Sequence, residues 1–171
     1  MLLCYGVVWG VITSIFPGYA NSVGISAAFI GFLLSIFALA RIFSYATAHW
    51  YLRFGERRTL VFISLMIFAG LFTLAVLPSF LGFLVGMMLI GGGVGVFFPI
   101  AISLISRHFP VERAGIAVGS YETAVNWGET LGPYLGGLLA AGTNVGSSFL
   151  MISVFGLLMA IFALNGRTYQ A

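Results

Sequence analysis

Gly128-Glu129-Thr130-Leu131-Gly132-Pro133-Tyr134-Leu135-Gly136-Gly137 is the stretch whose reading decides the fold. It sits in a run that also holds Glu122 and Asn126 but is otherwise apolar enough for a membrane span. Two carboxylates are costly in hydrocarbon, and a proline releases a backbone carbonyl one turn earlier that something nearby must satisfy. A helix of this make-up faces other protein, so the rest of the chain is read for elements able to pack against it.

Of the 171 residues, 61% are hydrophobic and 6% are charged, against roughly a quarter charged in soluble domains. No charge precedes Arg41, none lies between Arg58 and Arg107, and none between Glu129 and Arg167. These runs are long enough for several spans of about 20 residues. The pattern predicts an all-α integral membrane protein of six transmembrane helices, over about 2–17, 26–48, 59–77, 80–106, 114–141 and 148–165. Connections this short leave no room for a soluble domain, so residues 1–171 are expected to form one unit.

The connections sort by charge. Arg53, Arg57, Arg58, Arg107, Arg113 and Arg167 follow even-numbered spans, while those after odd-numbered spans carry no Lys or Arg. By the positive-inside rule, both termini and the arginine loops are cytoplasmic in a multi-pass protein of the plasma (inner) membrane. The net charge of +3 is explained by these loops, without a basic patch for nucleic acid. Cys4 is the single cysteine and reads as a small packing residue. His49 and His108 fall at helix ends beside arginines, as interfacial residues do. No nucleophile-base pair or metal cluster appears, so neither an enzyme nor a cofactor is expected.

Glycines 91, 92, 93 and 95 strip side chains from one region of span four, and Gly128, Gly132 and Gly136 recur every fourth residue in span five. Such stripes let helix backbones approach closely in a membrane, and Pro133 marks a bend in span five. Glu122, Asn126 and Glu129 follow an i, i+4, i+7 spacing and share one face. Arg41 in span two lies at a depth similar to Glu122, so one reading is a structural ion pair that locks spans two and five, with Arg41 partly snorkelling to the interface, and the other leaves Glu122 free for coupling. Glu129 lies deeper, with no second intramembrane arginine to match it. It is therefore the leading candidate for proton or cation coupling, followed by Glu122. Tyr121, Trp127 and Tyr134 are further candidates for contact with a solute.

At these residues the chain resembles the major facilitator superfamily of transporters. Gly128, Gly132-Pro133 and Gly136-Gly137 are similar to the family's Gly-x-x-x-Gly-Pro-x-x-Gly-Gly signature in the fifth helix of a six-helix half. Arg53-Phe54-Gly55-Glu56-Arg57-Arg58 is similar to the end of its loop signature Gly-x-x-x-Asp-Arg-x-Gly-Arg-Arg, with Ala48 and Leu52 at the leading Gly and Asp positions. The resemblance implies half of the usual twelve-helix bundle, built as a 3+3 inverted repeat. An echo between Gly10 to Pro17 and Gly93 to Pro99 fits such a repeat.

The degenerate loop, Gly119-Ser120-Tyr121-Glu122 and the stop soon after the last span point to the C-terminal half. The Gly-Pro signature is best known from fifth helices of proton-driven antiporters, which points to the N-terminal half. The implied function is proton-coupled transport of a small solute by alternating access, partnered by a second six-helix half or a second copy. The alternative is a non-transporting assembly protein or an inactive remnant. Family architecture places spans one and four at the central cavity and spans two and five against the other half.

Overall fold

The computed structural model describes residues 1–142 and 145–165, all helices and short connections. The helices are α1 (Leu2–Ser14), α2 (Phe16–Ser22), α3 (Ala27–Ala46), α4 (Ala48–Leu52), α5 (Glu56–Val76), α6 (Phe80–His108), α7 (Val111–Gly142) and α8 (Val145–Asn165). The helices α3, α5, α6 and α8 are each long and apolar enough to cross a membrane, and α1 with α2 together make a fifth such length, bent by 44°. At 32 residues α7 is the longest helix, but its charges make it more polar than these. Arg167 lies outside the described residues.

The first helical stretch does not stop at Pro17, as its sequence suggests. The chain bends after Ser14, and Pro17 opens the first turn of α2, which runs on to Ser22. Proline is at home there because its missing N–H is one the helix start leaves unbonded anyway. Pro99 and Pro133 lie inside α6 and α7, and both helices continue through them. The echo between Pro17 and Pro99 is thus not a local structural match.

The helices form pairs. The closest are α1 with α7, α3 with α6, α5 with α8, and α5 with α6. Between α1 and α7 the contact is backbone on backbone. The position a Cβ would take at Gly6 is filled by the carbonyl of Val125, at Gly10 by that of Glu129, and at Gly128 by that of Leu3. Glu129 is the residue whose carbonyl Pro133 deprives of its helical donor, so the exposed oxygen is seated against Gly10 of α1. A Cα–H···O contact of this kind is modest singly and adds up along a seam. The pair α3 and α6 repeats the device: Gly91 meets the carbonyl of Phe37, and Gly95 that of Arg41.

Phe16, Phe83 and Phe149 are fully buried and form an aromatic core toward the bundle end opposite the arginine loops. Phe16 packs edge-on against Phe83, with centroids 5.4 Å apart. Tyr19 stacks on Phe149 at 5.1 Å. Outward, α5 and α8 show Phe62, Leu65, Phe72, Leu150, Val154, Ile161 and Phe162, the apolar faces expected against lipid.

Candidate functional site

Along α7 the buried stripe is Tyr121, Val125, Gly128, Gly132 and Gly136, the seam against its neighbours. The opposite side exposes Glu122, Asn126, Trp127, Thr130 and Tyr134, while Glu129 is half-buried. Glu122 and Asn126 therefore lie on a face that no other described helix covers, and Glu129, on the same flank of α7, is half-buried at its margin. Trp127 and Tyr134 also point outward, at 61% and 64% exposure, whereas Tyr121 is buried.

Arg41 is placed differently from the sequence expectation. It forms no ion pair with Glu122; among the described residues the carboxylate paired to an arginine is Glu56, with Arg107 at 2.8 Å. The Arg41 guanidinium lies over the indole of Trp9, 4.6 Å from the ring centroid. Trp9 is seven residues into α1 from Leu2, about 10 Å along the helix, so the charge is held inside the bundle and does not snorkel to its end. The reason is packing: the Arg41 carbonyl is seated on Gly95, which fixes α3 with this side chain turned toward α1.

Tyr5 is the hub of the arrangement. It is buried, stacks on Phe97 at 4.6 Å and 16°, and lies within electrostatic reach of Arg41, Glu122 and Glu129. Phe98 stacks against Tyr45 at 5.9 Å on one side and meets Tyr121 edge-on at 5.8 Å on the other. This aromatic wall separates two spaces. An apolar cavity of about 570 Å³ opens toward the arginine loops, with Leu2, Phe97, Leu104, Ile116, Ser120 and Tyr121 among its walls. A groove of about 370 Å³ lies around Arg41, Tyr5, Tyr45 and Phe98. Both volumes are in the range of small-molecule sites. Tyr5, Trp9, Tyr45 and Phe98 escaped the sequence reading, though Tyr5 with Trp9 and Arg41 with Tyr45 are each spaced i, i+4.

The remaining signature residues fall into structural roles. Gly55 precedes α5 with φ 90° and ψ 140°, a conformation open essentially to glycine alone. Arg57 donates to the Leu164 carbonyl at the last turn of α8, and Thr59 donates to the Tyr51 carbonyl at 2.7 Å. Together with Glu56 and Arg107, these contacts tie four helices at one end. Arg53 and Arg58 are exposed. Gly128, Gly132 and Gly136 are packed, with Gly136 against Ile15, while a side chain at Gly137 would meet open space. No group of three or more His, Cys, Asp or Glu able to hold a metal occurs among the described residues.

The model of the Major Facilitator Superfamily matches residues 1–168. The multi-drug resistance efflux pump PmrA of Streptococcus pneumoniae is 27% identical over 153 residues, covering 86% of this chain and 38% of the pump. An uncharacterized MFS-type transporter of Methanocaldococcus jannaschii is 28% identical over 158 residues, or 90% of this chain and 40% of that protein. The chain thus spans about two-fifths of the length of these relatives.

Proposed function

Because the chain belongs to the major facilitator superfamily, we propose that it is one six-helix half of a permease that moves a small solute across the plasma membrane by proton-coupled alternating access. The observation that carries this reading is the uncovered polar face of α7. A helix showing Glu122 and Asn126 outward, with Glu129 half-buried at the margin of that face, is unsuited to lipid, while α5 and α8 show the apolar faces that lipid requires. The polar face is where a second six-helix unit, supplied by the other half or by a second copy, completes the bundle. Glu129, followed by Glu122, is the proton-coupling group, with Asn126 and Arg41 beside it.

Several features support the finer assignments. The α1/α7 and α3/α6 seams correspond if α1 to α5 and α6 to α8 are halves of an inverted 3+3 repeat. Gly6 and Gly10 then match Gly91 and Gly95, and Glu129 matches Arg41. The arginine loops share one end of the bundle, which the positive-inside rule makes cytoplasmic, together with both termini. The degenerate loop at Ala48 and Leu52 and the Gly119 to Glu122 segment favour the C-terminal half. The pneumococcal relative's name describes a multidrug efflux pump, which supports transport of small solutes as the general activity.

The test is flux in proteoliposomes under an imposed pH gradient, with the chain alone and co-reconstituted with a second six-helix unit from its genome. The reading expects solute movement driven by the gradient, and its loss in Glu129→Gln with the chain still inserted. Full gradient-driven transport by Glu129→Gln would remove Glu129 from the mechanism, and no flux of any solute in either preparation would defeat the transport reading.

A further inference from the structure

The groove around Arg41 contains an arrangement that proton coupling does not use. Its charged group is a guanidinium inside the membrane-spanning part of α3 that has no carboxylate partner among the described residues. The indole of Trp9 covers one face of it at 4.6 Å. The planar edge of a guanidinium carries its N–H donors, and a stacked guanidinium keeps that edge free for an acceptor. The walls beside it are aromatic: Tyr5, held by its stack on Phe97, and the Tyr45–Phe98 pair. The Tyr5 phenol lies within electrostatic reach of the guanidinium. The Glu122 and Glu129 side chains reach Tyr5 electrostatically, but neither lines the groove.

From these features we propose that the groove is a binding site for a planar aromatic carboxylate. Its carboxylate takes the Arg41 fork in two parallel hydrogen bonds, and its ring lies against Tyr45 and Phe98. An organic cation is repelled by Arg41, and a neutral ring leaves the guanidinium unmatched. A small inorganic anion gains nothing from the aromatic walls. The Arg41 carbonyl seated on Gly95 anchors the backbone beneath the fork, so the site is preorganised.

This site deepens the transport reading and rests on it for its role as a substrate site, whereas binding itself is tested separately. The purified full chain is dialysed to equilibrium in detergent against radiolabelled 2-naphthoate and, in parallel, 2-naphthylmethylammonium, which carries the same ring with the opposite charge. Saturable binding of naphthoate alone is expected. Arg41→Gln weakens it at least tenfold, and Arg41→Lys, which keeps the charge and loses the fork, weakens it several-fold. Ala46 lines the groove and is exposed, so Ala46→Phe blocks binding by volume without touching the charge. That variant decides the matter if Arg41→Gln does not fold.

Equal binding of anion and cation, or naphthoate binding unchanged in a folded Arg41→Gln or Ala46→Phe, overturns the site. So does an absence of naphthoate binding accompanied by Arg41-dependent self-association, since the partner of Arg41 is then a protein carboxylate. Naphthoate that binds but is not moved in proteoliposomes counts against the transport reading and leaves the site standing. Flux of other solutes without naphthoate binding does the reverse.

Discussion

Gly128→Ala puts the α1/α7 seam to a quantitative test. The new Cβ falls on the carbonyl of Leu3, 2.8 Å from the Val7 nitrogen and 2.9 Å from the Gly6 Cα, all backbone atoms that cannot rotate aside. To carry the Leu3 oxygen out to the ordinary contact range, which begins at 3.4 Å, the helices must part by about an ångström. A gap of that order forfeits a quarter to a half of the dispersion contacts along the seam. Overpacking of this kind costs about 1–3 kcal/mol, with the upper end appropriate where both sides are backbone. Alanine returns up to about 1 kcal/mol through its better helix propensity, which leaves a net loss of about 1–2 kcal/mol.

Gly137→Ala supplies the control, because it makes the same substitution in the same helix and meets nothing within 4 Å. Only the propensity gain remains, so this variant is expected to be as stable as the parent or slightly more so. The assay is unfolding in mixed micelles of increasing SDS content, followed by tryptophan emission and far-ultraviolet circular dichroism. A separation of about 2–3 kcal/mol between the two variants is expected from these terms. Equal stability of the two, or a loss at Gly137 matching that at Gly128, refutes the backbone seam.

Gly55→Ala places a Cβ on a residue with φ 90° and ψ 140°, at a cost of about 1–3 kcal/mol. Gly18→Ala, inside α2 with open space around it, should be neutral or mildly stabilising in the same unfolding series. Arg107→Ala breaks the ion pair to Glu56, but Arg107 is 63% exposed, so screening limits the loss to about 0.5 kcal/mol. That small loss should fade further in high salt, and an unfolding midpoint insensitive to salt in both parent and variant would show the pair to be inert.

That the chain is all-helical and rich in membrane-crossing lengths was legible in the sequence because uninterrupted apolar runs and arginine-bearing breaks act at short range. What went unread depends on how helices are turned about their axes. Counting residues at 1.5 Å each places Arg41 and Glu122 at similar depth. It does not say that α3 rotates its arginine toward Trp9 while α7 turns its glutamate outward. That choice is made by glycines on partner helices, since Gly95 accepts the Arg41 carbonyl and Gly6 that of Val125. Pro17 misled for a related reason, because a proline ends one helix or begins the next according to which side the chain bends. The shared face of Glu122, Asn126 and Glu129 was readable because it lies within a single helix.

The carbonyl of Glu129, freed by Pro133 and lodged against Gly10, gives that residue two attachments. Its side chain is half-buried at the margin of the uncovered face, and its backbone is wedged into the neighbouring helix. Arg41 is attached in the same double way, with its carbonyl on Gly95 and its guanidinium on Trp9. Each of these residues meets its neighbour, α1 or α6, through backbone atoms with no side chain in between. At both residues one position is thus shared between a reactive side chain and a backbone-to-backbone joint, so a substitution that shifts the main chain at Glu129 or Arg41 is felt in two helices at once.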